Sequence, residues 1–518
     1  MELVRNYVSS RVGASLVNAL LQDLKPYEVF SVQNLLVDKA KIDREKARVM
    51  DKVKSLPSIQ AEILVCIGVD GKIDKDTLCF KELSDKGGNM KLRQESREEH
   101  HLTFTNESGT NKGTYLTHRV IPIRGATGQR MAQEVESVLQ EYSSSHSLKA
   151  ILVDNTSVNT GGEAGLVACL EEKLQRKIHT IGCSLHQNEL PFRAVFKFLD
   201  GGTKTPSTFS GPLGKLCAGN HHSLPQVAFA PMKGSLDNIT FADEVVSDLS
   251  RDQRLLYEYV KVISSGAASE RFATHKIGPL SHARWLTLAT RLLCIYTRGI
   301  CPTEHEERLS QVVKFIIEVY APCWFKIKMG GKFHHPQQII FDMIKGFERQ
   351  SNEVQEVAKK NIRFNSFGLL PENFLFSMIK SEELEVREIA IKKILDIWKQ
   401  EPPKKSMKKI PTINFLAEHW TDIIDLTQLG ICEPALTEEL TEEDLQEALR
   451  SGKKIDLPDL PCHSQSVERA VKLTSEASHK VYGQEARHRH ILAKVTSMKM
   501  RPSFESKGQY MEEYDILD

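Results

Sequence analysis

Ile63-Leu64-Val65-Cys66-Ile67-Gly68-Val69-Asp70-Gly71 is the stretch that decides the fold. It is a continuous apolar run, which suits a strand buried on both faces, and Asp70-Gly71 reads as the turn that closes it. Upstream, Val12, Leu16 and Leu20 recur at helical spacing, and the mixed-charge segment from Asp38 to Lys54 continues the helical reading until Pro57 stops it. Downstream, HLTFTNE from His101 and YLTHRVIPI from Tyr115 flank SGTNKG, the composition of a hairpin. Met131, Val135, Val138, Leu139 and Tyr142 then share one helical face. LKAILVD from Leu148 makes a second apolar strand ending in Asp154. A helix from Gly162 to about Gln175 and a strand at KIHTIG follow. Residues 61–190 are therefore expected to form one sheet with helices.

Beyond Asp200 the pattern turns to GGTKTPSTFSGPLG, rich in glycine, proline and serine, and then to long helical segments from about Asp237 to Trp398. A Pro/Lys linker, EPPKKSMKKIP from Glu401, leads to the acidic LTEELTEEDLQEALRSGKK and to a last helical region at LPCHSQSVERAVKLTSEAS. The resulting division is an N-terminal helical region over 1–60, the first part of an α/β domain over 61–200, an all-α insertion over 201–400, and over 401–518 a linker with the helical part that completes the α/β domain.

The chain has 518 residues, 40% apolar and 26% charged, so a small module and wholesale disorder are both excluded. No run approaches the roughly 18 apolar residues of a bilayer crossing, and the N-terminus lacks a signal-peptide block, so an intracellular protein without a membrane partner is expected. Ten dispersed cysteines without a CxxC are expected to be reduced thiols. With 69 Lys plus Arg against 68 Asp plus Glu, overall charge points to no partner class. Locally, Pro461 to Arg501 holds eight basic residues against three Glu, which suits a DNA groove or a solvated helix face equally.

Two aspartates, Asp70 and Asp154, each end an apolar strand of the expected sheet. A carboxylate there can hold a hard divalent cation through oxygen, or it can simply start a turn or cap the next helix. Cys183 and His186 stand at C-x-x-H spacing, but zinc needs about four ligands and no second pair lies nearby, so a buried thiol beside a hydrogen-bonded histidine competes. Trp285, after Arg284, reads either as core packing or as a platform for a nucleic-acid base. The run Ala486-Arg487-His488-Arg489-His490 reads as surface.

The segments CIGVDGKIDKDTL, ILVDNTSVNTG, CSLHQNEL, HARWLTL and CHSQSVERAVKL occur in an order that resembles the hAT superfamily of cut-and-paste DNA transposases and their domesticated relatives. The likeness lies in short motifs spread from about Glu62 to Ser478. It implies an RNase H-like α/β fold, a mixed sheet with helices interrupted by a large all-α insertion. It implies a catalytic triad of Asp70, Asp154 and Glu468 as metal ligands, with Asp70 bridging both metals and Glu468 drawn from S-Q-S-V-E-R. Two Mg²⁺ (or Mn²⁺) ions about 3.5–4 Å apart would activate the attacking oxygen and stabilise the leaving one. Asn155, Cys183 and His186 would shape the site wall, and Arg284 and Trp285 would grip an unpaired or flipped base. DNA as partner, a homodimer and a nuclear location follow from the same resemblance. Active members usually carry an N-terminal Cys/His zinc finger. With no cysteine before Cys66 and no histidine before His100, none precedes the sheet here. Two readings result, a metal-dependent polynucleotidyl transferase or a domesticated, non-catalytic dimer that binds DNA or protein.

Overall fold

The fold is taken from a computed structural model. It describes residues 10–23, 37–54, 63–84, 90–109, 112–205, 208–219, 249–266, 284–330, 335–400, 410–427 and 439–499, with isolated positions between 221 and 280 and at 437. The Pro/Lys segment 401–409 and the end of the chain beyond Lys499 lie outside the described residues.

The chain is mixed α/β, with a five-stranded mixed sheet and a large helical insertion. Helices α1 (Ser10–Asp23) and α2 (Lys39–Lys54) come first, then strands β1 (Cys66–Ser84), β2 (Met90–Asn106) and β3 (Thr114–Ile121), and helix α3 (Gly128–Glu141). Strand β4 (Ala150–Val153), helix α4 (Leu166–Leu174), strand β5 (His179–Gly182) and helix α5 (Ser184–Asp200) form an alternating block. The insertion contains α6 (Pro212–Ala218), α7 (Arg251–Ser265), α8 (Arg284–Arg298), α9 (Thr303–Phe315), α10 (Ala321–Gly330), α11 (Pro336–Phe347), α12 (Asn352–Asn365), α13 (Pro371–Ile379) and α14 (Leu384–Trp398). Helices α15 (Glu442–Ser451), α16 (Gln465–Ser478) and α17 (Gln484–Lys499) follow.

Two compact units divide these elements. The first comprises residues 1–126, 133–147 and 465–518; the second comprises 127–132 and 148–464.

In the first unit β1, β2 and β3 form an antiparallel meander. Cys66, Ile67 and Val69 are buried, as the apolar run requires. One expectation fails here, because Asp70 does not end its strand. β1 is 19 residues long and runs on to Ser84, and Asp70-Gly71 pairs mid-ladder with Thr103 and Leu102. The turn chemistry of Asp-Gly is overridden by a partner strand long enough to continue the ladder. A bulge between Asp74 and Thr77 then re-aims the side chains of the distal half. Helix α16 buries Val467, Ala470, Thr474, Ala477 and Ser478, a 3-4-3-1 spacing that makes one continuous face. Tyr115 of β3 shares a core with Ala470, Ala477 and Ile491 of the two last helices.

In the second unit β4 and β5 run parallel, Ala150 opposite His179 through Val153 opposite Gly182, and every residue of β4 is buried. Such all-apolar strands need cover on both sides. The insertion supplies part of it through Asn373, which is 1% exposed and donates Nδ2 to the carbonyls of Thr180 (3.0 Å) and Phe367 (3.0 Å). Its Oδ1 lies 3.1 Å from His179 Nδ1. Between α9 and α10 a π-helical turn, Ile316–Tyr320, interrupts the regular ladder. The Tyr320 carbonyl accepts there from Asn188 Nδ2 of α5 at 2.9 Å, so the irregularity is satisfied by a side chain. Among the described residues no helix is long and apolar enough to cross a membrane.

Candidate functional site

In the first unit, strand alternation puts Gly68, Asp70, Lys72 and Asp74 of β1 on one face, which is the face covered by α16. Three contacts fix the register. Ser466 Oγ donates to Glu107, whose own amide bonds Cys66 (2.9 Å). Thr103, opposite Asp70, donates Oγ1 to Thr474 Oγ1 (3.3 Å), and Lys72 Nζ donates to Ser475 Oγ (2.8 Å). Glu468 therefore lies on α16 between the level of Cys66 and that of Asp70. It is exposed, in the stripe Glu468, Lys472, Ser475, His479 that runs along the edge of the buried face. Asp70 Oδ1 accepts from the Gly71 amide at 2.7 Å.

The acid most firmly built into this face is Asp74, which motif reading passed over. It is 5% exposed, and its oxygens accept from Ser475 Oγ (2.7 Å), Ser478 Oγ (2.9 Å) and His479 Nε2 (2.7 Å). Burial opposes ionisation, but these bonds outweigh it and hold the carboxyl well below the usual carboxylate range. The signal was present in the sequence. Asp70, Lys72 and Asp74 alternate at period two, and Ser475, Ser478 and His479 stand at helical spacing in SEASH.

A second buried carboxylate, Glu99, accepts from Arg487 Nη1 (2.8 Å) and Arg97 Nε (2.6 Å). Burial again opposes ionisation, but the two guanidinium groups lower its pKa. Arg487 is 2% exposed and also donates to the carbonyls of Val481 (2.8 Å) and Leu78 (3.2 Å). The ARHRH run is thus not all surface. It lies on α17, which turns one side to the sheet, and His488 Nδ1 lies 3.2 Å from the buried Tyr115 hydroxyl. Glu107, 1% exposed, has its pKa raised by burial, and the hydroxyls of Ser466 and Thr105 only partly offset this.

In the second unit Asp154 follows β4 directly. Its Oδ1 accepts from the Thr156 amide (3.3 Å), Thr156 Oγ1 (2.8 Å) and Asn159 Nδ2, the bonding of a carboxylate that organises the one-turn helix Ser157–Thr160. Asn155 is buried over Gly182, and neither its Nδ2 nor its Oδ1 has a hydrogen-bond partner among the described residues. Cys183 caps α5 and is 1% exposed. Its Sγ accepts from Ser464 Oγ (3.1 Å) and the Ser464 amide (3.4 Å), while the Ser184 amide bonds the Cys462 carbonyl (2.8 Å). The thiol thus fastens the segment that enters α16. His186 is half-buried, one turn along α5.

Trp285 begins α8 and is 6% exposed. Phe192 meets its ring edge-on at 5.9 Å, and the Arg193 guanidinium lies over it at 6.0 Å. The Arg284 side chain is outside the described residues. The exposed edge of Trp285 borders a cleft of about 400 Å³ lined by Arg193, Lys197, Phe209, Ser210 and the Gly201-Gly202 turn. Gly201 has φ +95°, and a Cβ there would stand 2.7 Å from Ser210 Oγ, so the turn that shapes this wall requires glycine. Arg193 and Lys197, one turn apart and exposed, give the cleft its charge.

Asp70 and Glu468 belong to the first unit, and Asp154 belongs to the second with Asn155, Cys183, His186 and Trp285. Among the described residues no group of three or more His, Cys, Asp or Glu side chains is placed to hold a metal ion.

No protein-family model matches the chain, and no curated protein matches it. Among solved structures it is similar to the Drosophila P element transposase strand transfer complex, with 10% identity and a TM-score of 0.32 over 95% of this chain and 90% of that chain.

Proposed function

We propose that this chain is a transposase-derived protein of RNase H-like fold that binds DNA, holding an unpaired segment at the Trp285 cleft. The cleft itself supports the reading most directly. It combines Arg193 and Lys197 as cations for phosphate, hydroxyl-bearing Thr208 and Ser210, and the Trp285 ring, over which the Arg193 guanidinium lies at 6.0 Å, as aromatic surface for a base. Such a site recognises backbone and aromatic surface and tolerates many sequences. The partner is DNA, the location is the nucleus, and a homodimer is part of the same reading. Anisotropy titrations with single-stranded and hairpin DNA test it. The double variant Arg193→Ala/Lys197→Ala is expected to weaken binding and to reduce the salt slope by about 1.4, at about 0.7 per lost contact on a single strand. Unchanged affinity and slope would reject the cleft as the DNA site.

A catalytic reading is favoured by one observation, that Asp70 lies on the face of β1 that α16 covers and Glu468 lies on that same helix, in a register set by three contacts. On this reading Asp70, Asp154 and Glu468 take up Mg²⁺ or Mn²⁺ when DNA is present, and Asp154 binds through the oxygen not committed to Thr156 and Asn159. Nicking of hairpin DNA that needs Mn²⁺ and disappears in Asp154→Asn is the expected result. DNA binding with no metal-dependent nicking leaves the non-catalytic, domesticated reading in place.

A further inference from the structure

Two positively charged or chargeable side chains of the first unit are tied to one buried carboxylate. Lys72 Nζ donates to Ser475 Oγ (2.8 Å), and Ser475 Oγ donates in turn to Asp74 Oδ2 (2.7 Å). His479 Nε2 meets Asp74 Oδ1 directly at 2.7 Å. An ionised carboxylate can only accept, so the Nε2 of His479 carries the proton of that bond, and in the imidazolium form Nδ1 is a second donor, free to meet an anion. The exposures decide which way the pair faces, since the His479 side chain is 42% exposed against 5% for Asp74. Lys72 is exposed as well, two residues from Asp70 on the same face of β1.

We propose that Lys72 and His479 form a contact site for a DNA backbone phosphate, with Asp74 as the positioning residue that aims both. A phosphate demands donors held at fixed spacing, and exposed lysines seldom provide that because their four-carbon stems are mobile. Here the stem is tethered through Ser475 and the imidazole is tethered by Asp74, so little side-chain freedom is left to lose on binding. Ser478 Oγ also donates to Asp74 (2.9 Å), which anchors the end of α16 to β1 and keeps the two groups in one register. Lys472, exposed and one turn before the buried Ser475, continues the positive edge toward Glu468. The site is separate from the Trp285 cleft and takes duplex backbone, because it offers charge and hydrogen-bond donors without an aromatic platform. It rests on the reading that DNA is the partner of this chain.

The test is duplex DNA binding by the full chain, measured by fluorescence anisotropy over a series of salt concentrations. Lys72→Gln is expected to weaken binding equally on unrelated sequences and to reduce the slope of log K against log salt by about 0.9, the loss for one duplex phosphate contact. Lys72→Arg, which keeps the charge, should restore the slope, and His479→Ala should weaken binding further when combined with Lys72→Gln. Asp74→Asn retains both contact groups but loosens their aim, so its affinity should fall to between those of the wild type and the double variant. Folded variants, by circular dichroism, that bind with wild-type affinity and slope would overturn the site. A fall in affinity at unchanged slope would also overturn it, since that marks structural damage instead of a lost phosphate. A wild-type chain that binds no DNA at any salt would instead overturn the function proposed above, and this site with it.

Discussion

Arg487→Leu is expected to destabilise the first unit by about 3–5 kcal/mol, the usual cost of removing one partner from a buried ion pair. The substitution leaves Glu99, 5% exposed, with the surface guanidinium of Arg97 and the buried imidazole of His101 at 3.6 Å, and it removes the donor that Arg487 gives to the carbonyls of Val481 and Leu78. The double variant Glu99→Leu/Arg487→Leu should recover part of the loss, because two apolar side chains in place of a pair leave no buried charge. Amide exchange in β2 and urea titration measure both. A single variant within about 1 kcal/mol of wild type would show that the pair adds little to holding α17 on the sheet.

Acidification should unfold the same unit well above the pH at which carboxylates are ordinarily protonated. Burial pushes the pKa of His101 down to about 4 and that of His118 to about 3, with Arg487 adding to the first and His101 to the second. In the unfolded chain both titrate near 6.5. Between about 6.5 and those folded values the unfolded state binds more protons, so stability falls as pH falls, by up to about 1.4 kcal/mol per pH unit for each histidine. The carboxylates of Asp74 and Glu99 act lower down. Their folded pKa values are depressed, so the stability they contribute is present above the unfolded values near 4 and is lost as pH drops below them. From pH 7 to pH 4.5 the urea midpoint is expected to move down steeply, and His101→Gln should flatten the curve. A midpoint constant over that interval would contradict a neutral buried pair.

The parts of the fold legible in the sequence are those whose cause is local. LKAILVD carries an apolar run, and KIHTIG the β-branched Ile178, Thr180 and Ile181 after a helical segment, and β4 and β5 stand there. The hairpin around SGTNKG and the helix bearing Val135, Val138 and Leu139 were equally readable. Asp70 was misplaced because Asp-Gly favours a turn in isolation, whereas the pairing of β1 down to Ser84 depends on β2, which a window of seven residues does not contain. The buried polar groups were harder still. Arg487 finds Glu99 across 388 positions, and Asp74 finds His479 across 405. Charge alone made Arg487 look like a surface residue. For the proposed site, the motif spacing singled out Asp70, Asp154 and Glu468, and the turn-starting alternative for a strand-end aspartate matches the bonds of Asp154 to Thr156 and Asn159, but no pattern in the chain foretold that Arg193 would cover Trp285.

The first unit is assembled from segments at opposite ends of the polypeptide, and this shapes its birth on the ribosome. When the β1–β3 meander leaves the exit tunnel, α3 follows at once, but α16 and α17, which cover the other face, are more than 300 residues from being made. At about 5–20 residues per second that face of the sheet waits on the order of tens of seconds, exposing apolar surface that favours association between nascent chains. The second unit can meanwhile fold ahead of it. A chain released early, before Gln465, would keep the helical insertion and the Trp285 cleft yet leave that face of the sheet uncovered, so nonsense truncation late in the gene should yield insoluble material held by chaperones.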